Sequence, residues 1–271
     1  NGYRVDSLYT LGPLGTMKLL DLPYSMQILP EDLLDNVQAK SVKEALKYLP
    51  LVQFQEQQGP DVLRPATRGM QGSNFQNARM NGMTIYVTGA NAIEQFQQIE
   101  VLSGPSSAVY GPANPAGMFN FITKRPTDAP LARVDVGYDT SSIFTAHADV
   151  SGHVDSNGVL GVRLNVLAAN GTGFVDDSEL SRKFASLAFD VKPSRDKTLE
   201  FDYGLYDLTQ KGYPGWFTYG QGVALPDAPD PTRVGYGQTY AGVELKNQAG
   251  SVRLKHDFGP NWHLVIGGLT Q

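Results

Sequence analysis

The residues best suited to bind a metal or move a proton near neutral pH are the four histidines, His147, His153, His256 and His263, and they are dispersed. His147 and His153 fall on the same face of an extended segment, but at that separation they lie about 20 Å apart, too far to share an ion. The sequence has no cysteine, which removes thiolate metal sites, a disulfide framework and a cysteine nucleophile. It also lacks a carboxylate cluster, a G-x-S-x-G elbow and a phosphate loop; Gly104-Pro105, Gly111 and Gly117 read as turn glycines. No enzyme site is visible, and no protein metal ligand or cofactor is expected. The aromatic group Tyr213, Trp216, Phe217 and Tyr219 does stand out. Ring faces suit a bulky ligand, and they equally suit a lipid interface.

The elements that must carry these residues are bounded by composition. A chain of 271 residues, 41% hydrophobic and 18% charged, is long enough for one large or two ordinary domains. Its 22 Lys+Arg against 27 Asp+Glu leave a net charge of −5, so no bulk positive field collects nucleic acid. No apolar run approaches the roughly 20 residues of a spanning helix. A membrane β-barrel remains open, because alternating lipid-facing and lumen-facing residues keep mean hydropathy low, and here it is −0.26.

Two textures divide the chain. Up to about Pro126, short helical and strand signals alternate. Pro30-Glu31-Asp32-Leu33-Leu34 reads as a helix start, with acids beside the positive end of the dipole. Ser41 and Glu44 form a capping box, with Val42, Ala45, Leu46 and Leu49 on one face before Pro50. Arg64 to Gly89 is rich in Gly, Asn and Gln and reads as strands and exposed loops, while Phe119 to Thr123 reads as a strand.

From about Leu131, long segments alternate with period two. Val134, Val136 and Tyr138 form one apolar face; Ala146, Ala148 and Val150 the next; then Leu160 to Val166, Leu187 to Val191, and Leu199 to Leu205. Asp155 to Gly158, Pro193 to Lys197 and Phe258 to Asn261 are tight hairpin turns. The alternate links, Gly171 to Arg182 and about Gln210 to Thr239, are longer. Short turns on one side and long loops on the other match an outer-membrane barrel, as does the strand length, although a soluble sandwich also alternates. Between Ala241 and Asp257 the apolar residues change phase, which predicts a bulge or an irregular loop end near Asn247 to Gly250.

The stretch Ile99-Glu100-Val101-Leu102-Ser103-Gly104-Pro105-Ser106-Ser107-Ala108-Val109-Tyr110-Gly111, continuing through Pro115-Ala116-Gly117 to Phe119-Asn120-Phe121-Ile122-Thr123-Lys124-Arg125-Pro126, closely resembles the end of the plug domain of TonB-dependent outer-membrane receptors. The family pattern there is roughly IEVLKGPSSALYG, PGG, then TKRP. Leu11 to Gly15, Asp21-Leu22-Pro23-Tyr24-Ser25, Thr67-Arg68-Gly69 and Met80-Asn81-Gly82-Met83 resemble the family's earlier elements in order. Gly212-Tyr213-Pro214-Gly215-Trp216 is similar to an aromatic loop of the ferric-siderophore branch, the ferrichrome receptor class.

This resemblance implies an α+β plug over residues 1–126, then antiparallel strands of a transmembrane β-barrel over 127–271. The family barrel has about 22 strands and this sequence holds about seven, too few to close even the smallest barrel, so the chain is expected to be part of a longer one. The resemblance further implies a receptor in the Gram-negative outer membrane, with lipid, TonB and a ferric siderophore as partners. A TonB box is not recognisable; Arg4 to Leu8 is a poor candidate, and the box is expected upstream of Asn1. By the same resemblance the siderophore contacts are Arg68, whose fork suits chelate oxygens, Phe75, Gln76 and Arg79 in the first apical loop, Tyr86 with Thr88 in the second, Asn91 in the third, and Tyr213, Trp216 and Tyr219. Glu94 stands where the ferrichrome receptor class has an aromatic. A plug-to-wall ion pair is the competing role for Arg68, and salt bridges are expected for Lys124-Arg125. Haem or cobalamin receptors, and a soluble β-rich binding module, remain the alternatives.

Overall fold

The computed structural model describes residues 3–6, 17–54, 65–87, 89–139, 142–212, 220–224, 227–230, 232–233, 237–238, 240–259 and 262–271. The first half is an α+β unit. Strand β1 (Ser25–Pro30) runs directly into α1 (Glu31–Asn36), for which Pro30 is the N-cap and Glu31 and Asp32 fill the first turn. Helix α2 (Val42–Leu46) is capped as expected: the Ser41 hydroxyl accepts from Glu44 N at 3.2 Å, and the Glu44 carboxylate accepts from Lys40 N at 2.8 Å.

Short strands follow, β2 (Val52–Phe54), β3 (Pro65–Thr67), β4 (Met70–Gln71), β5 (Ala78–Met80) and β6 (Met83–Thr84). Longer β7 (Phe96–Ser103), helix α3 (Ser107–Tyr110) and β8 (Met118–Thr123) complete the unit. The main sheet has the order β1-β7-β8-β5-β6, and β2-β3-β4 form a second small one. Its core is built from Leu29, Leu34, Val42, Leu46, Ile85, Phe96, Ile99, Val101, Phe119 and Phe121, so the capped helix and the sheet bury their apolar faces together. Gly117 is obligatory: its φ is +91°, and a Cβ there would lie 2.5 Å from the Leu102 carbonyl oxygen.

The second half is one antiparallel sheet of β9 (Leu131–Tyr138), β10 (Phe144–His153), β11 (Leu160–Gly171), β12 (Glu179–Ser194), β13 (Lys197–Lys211), β14 (Gly242–Asp257) and β15 (His263–Thr270). These strands neighbour one another in chain order, leaving β9 and β15 as the two edges, so the described residues form an open wall rather than a closed barrel. One face carries exposed Val134, Val150, Leu164, Val166, Leu199, Phe201, Leu205, Val252 and Leu254. The other carries buried Asp149, Arg163, Asn165, Arg182, Asp190, Glu200, Asp202 and Arg253. An apolar outside and a charged inside invert the soluble arrangement and are what a lipid-facing wall requires.

Two expectations are corrected. Strand β14 pairs with β13 without interruption from Lys197↔His256 to Lys211↔Gly242, so there is no bulge at Asn247 to Gly250; the register shift lies between β12 and β13, at Val191 to Ser194. The phase change in β14 has another cause. Val252 and Leu254 face outward, whereas Leu245 faces inward and packs beside Leu208 and Phe184. The expected loop Gly171 to Arg182 is also shorter, because β11 continues to Gly171 and β12 begins at Glu179.

Candidate functional site

The plug unit lies against the polar face of the wall through two contacts. In the half bearing the long links, Ala90 and Ala92 of the plug pack on Leu167, Phe184, Tyr206 and Leu208. Leu167, Phe184, Tyr206 and Asn247 are register partners across β11 to β14, so this contact is a row at one height. On the outer surface one residue further on, Lys183, Asp207 and Lys246 form a cross-strand row, all exposed. The outer apolar face therefore ends where the inner apolar contact begins.

Nearer the short turns, the contact is ionic. Arg125 donates to both the Asp190 carboxylate and the Phe189 carbonyl, the latter at 2.7 Å, and lies 3.5 Å from Asp202. Lys124 is 3.2 Å from Asp149 and 3.0 Å from Glu31. Arg163 bridges the same two carboxylates and donates to the Arg125 carbonyl at 3.1 Å. The salt bridges expected for Lys124-Arg125 are thus present. Desolvated charges of this kind are sustained only by such dense pairing. Asp202 also accepts from the Ser251 hydroxyl, and Glu200 pairs with Arg253 and Lys255 at 2.6 Å each. Arg253 in turn reaches the plug at the Asn81 carbonyl. A further bridge, bidentate from Arg182 to Glu94 at 3.1 and 2.8 Å, escapes sequence reading because its partners are 88 residues apart. Glu94 therefore serves as a wall anchor.

The residues expected to contact a siderophore separate into groups. Phe75 and Tyr86 are exposed and stacked, ring centroids 4.7 Å apart, with Gln76 exposed beside them. Tyr86 exchanges backbone hydrogen bonds with the Gln271 side chain, which places this pair in the long-link half. The turn Asn81-Gly82 behind it has φ of 52° and 83°, the left-handed pair of a tight hairpin, and the Asn81 side chain fixes it to Thr123.

Arg79 and Asn91 are placed differently from the expectation of open contacts. Arg79 is 8% exposed, sits 5.8 Å over the Tyr110 ring and donates to the Ala78 and Tyr110 carbonyls. Burial lowers its pKa, and burial with the nearby Glu100 charge raises that of Tyr110. Asn91, 1% exposed, bonds Gly89, Gln95 and Asn247. The plug thus satisfies Arg79 internally, whereas Asn91 is shared between the plug and Asn247 of the wall. Asn77 is also satisfied within the plug, donating to the Asn114 and Gly117 carbonyls. Arg68 is exposed on the β3–β4 turn at φ 54°, its guanidinium beside Gly104. Thr88, Tyr213, Trp216, Phe217 and Tyr219 lie outside the described residues.

Residues 18–118 match the family model of the TonB-dependent Receptor Plug Domain. That match covers the plug unit, and in this chain the matched segment is followed by the seven antiparallel strands β9 to β15 of the described wall. The ferrichrome outer membrane transporter/phage receptor of Escherichia coli K12 is 29% identical over 201 residues, 72% of this chain and 27% of the relative. Ferrichrome receptor FcuA of Yersinia enterocolitica is 24% identical over 259 residues, 93% of this chain and 34% of the relative. Among solved structures, BauA, the ferric preacinetobactin receptor of Acinetobacter baumannii, superposes with a TM-score of 0.87 at 24% identity, over 99% of this chain and 40% of BauA. The chain spans about a third of the length of these curated relatives. They are transporters and receptors, not enzymes.

Proposed function

We propose that this chain forms the plug and first wall strands of an outer-membrane receptor that binds a ferric siderophore and imports it with energy delivered through TonB. One observation carries most weight: a folded plug is bonded to the charged inner face of a wall whose outer face is apolar, with the exposed Phe75–Tyr86 pair in the long-link half. The names of the relatives reported above, two ferrichrome receptors and a ferric preacinetobactin receptor, support a siderophore without selecting one chelate class.

In this mechanism the iron stays within its chelate, so the protein supplies shape and hydrogen bonds rather than metal ligands. Phe75, Tyr86 and Gln76 offer two ring faces and an amide to a bulky chelate from the plug side. Tyr213, Trp216 and Tyr219 are proposed as further aromatic contacts to the chelate. Arg68 supplies a guanidinium fork for chelate oxygens. Arg79 and Asn91 act from behind, holding the apical segments in place. Occupancy shifts the plug toward a state in which TonB engages its N-terminal side.

Iron uptake decides the matter. Cells with and without the full-length gene, and with and without TonB, are given radiolabelled iron as ferrichrome, as a catecholate chelate or as haem, and labelled cobalamin in parallel. Uptake of a siderophore that needs both genes is expected. Uptake of haem or cobalamin alone moves the ligand class, and uptake of none rejects import. In the purified receptor, Phe75→Ala, Tyr86→Ala, Trp216→Ala and Arg68→Ala are each expected to weaken chelate affinity about tenfold, the scale of one stacking or charge-assisted contact. Unchanged affinity in all four rejects the site.

A further inference from the structure

The first helix of the plug and the residues just after it form ion pairs with the wall. Glu31 and Asp35 are one helical turn apart on α1, so both carboxylates project from one side while Leu34 enters the plug core. Asp35 pairs with Arg133 of β9, Lys40 just beyond the helix pairs with Asp139 after β9, and Glu31 pairs with Arg163 of β11.

These pairs are unequal. Asp35–Arg133 and Lys40–Asp139 are partly open to water and are screened. Glu31 is itself 25% exposed, about as open as Asp35 and Asp139, but its Oε1 lies 2.7 Å from Arg163 Nη2 and 3.0 Å from Lys124 Nζ, two cations whose side chains are only 3% and 4% exposed, so the difference lies in the buried partners. The other carboxylate between those cations is Asp149, at 2.6 and 3.2 Å, and it belongs to β10. This group of two cations and two carboxylates is neutral only while Glu31 is in place. Withdrawing α1 would remove one carboxylate and leave an uncompensated buried cation. Among the described residues, strand β1, joined directly to α1, pairs only with β7, so it can leave without opening the β7–β8 pairing.

We propose that Glu31 is an ionic latch, fastening the β1–α1 edge of the plug to the wall, and that its separation from Lys124 and Arg163 is the event that frees this edge. The latch rests on the import reading for the pull that opens it, but it is a property of the resting receptor and is tested there. The latch holds this edge to the wall by ion pairs, while the pairing with β7 and the buried Leu29 and Leu34 hold it to the plug, so opening the latch frees the edge from the wall first.

The test is hydrogen exchange on the purified full-length receptor. Glu31→Gln should speed exchange of the amides from Met26 to Asn36 at least about tenfold while leaving β5 and β8 unchanged. Asp35→Asn and Lys40→Gln should each change it less than about threefold. Asp149→Asn removes the competing carboxylate but keeps the latch, so exchange of β1–α1 should stay at or below the parent rate. Unaltered exchange in Glu31→Gln, uniform acceleration through the plug, or equal acceleration in Asp149→Asn overturns the proposal. Chelate affinity is measured on the same samples: a parent receptor that binds no chelate defeats the import reading, and the exchange contrast still decides the latch.

Discussion

The plug touches the wall in two chemically opposite ways. In the long-link half two alanines of the plug are set against Leu167, Phe184, Tyr206 and Leu208, an apolar patch flanked by the ion pair Glu94–Arg182. Toward the short turns the contact is ionic, Glu31, Lys124 and Arg125 against Asp149, Arg163, Asp190 and Asp202. Tyr206 and Glu200 mark the two rows on β13, about 20 Å apart along the strand. Apolar packing excludes water and tolerates small shifts, whereas buried ion pairs demand one register and cost heavily when half of a pair is removed. The plug is therefore sealed at one end and indexed at the other.

That contrast can be broken from either side. The largest effect is expected for Arg125→Ala, which leaves Asp190 buried without its main partner: a loss of about 3–5 kcal/mol in unfolding free energy of the full-length receptor. Leu208→Ala should cost about 2–4 kcal/mol through the cavity it leaves in the apolar row. Because the two positions share no partner, the double variant should lose the sum; a coupling above about 0.5 kcal/mol would show that the contacts are one unit.

The smallest effect belongs to a turn outside both contacts. The Asp155 carboxylate accepts from the backbone N–H of Leu160, Val159 and Asn157 at 2.7, 3.1 and 3.0 Å, which holds its pKa below the usual carboxylate range. With the folded value depressed, the stabilisation of this turn is present above the ordinary aspartate pKa and is lost as pH falls through the folded one. Amide exchange at Asn157 to Leu160 should rise over that acid window and lose this pH dependence in Asp155→Asn. Accompanying changes in the plug contacts would contradict the separation.

Much of the architecture was legible because it is local. The Ser41/Glu44 cap, the Asn81-Gly82 turn and the strand faces follow from spacing alone. The false bulge in β14 shows where periodicity misleads. Apolar residues mean lipid contact at Val252 and Leu254 but plug contact at Leu245, so one regular strand changes its apolar face without changing register. The anchors Glu94–Arg182 and Glu31–Arg163 join residues 88 and 132 positions apart, and only the fold brings them together. Arg79 and Asn91 are expected as ligand contacts from their places in the family's apical loops; here Arg79 bonds the plug's own backbone, and Asn91 bonds the plug and the wall.

The central claim is that the wall's outer face meets hydrocarbon while its inner face encloses the plug, with the apolar side exchanging at Leu205 and Tyr206. A nitroxide scan of β13 from Leu199 to Leu208 in the full-length receptor in bilayers tests this most directly. Labels at Leu199, Phe201, Tyr203 and Leu205 should be mobile and accessible to oxygen dissolved in lipid, and those at Tyr206 and Leu208 immobile and shielded. Immobile, oxygen-shielded labels at all four odd positions would place that face in a protein interior and contradict the account.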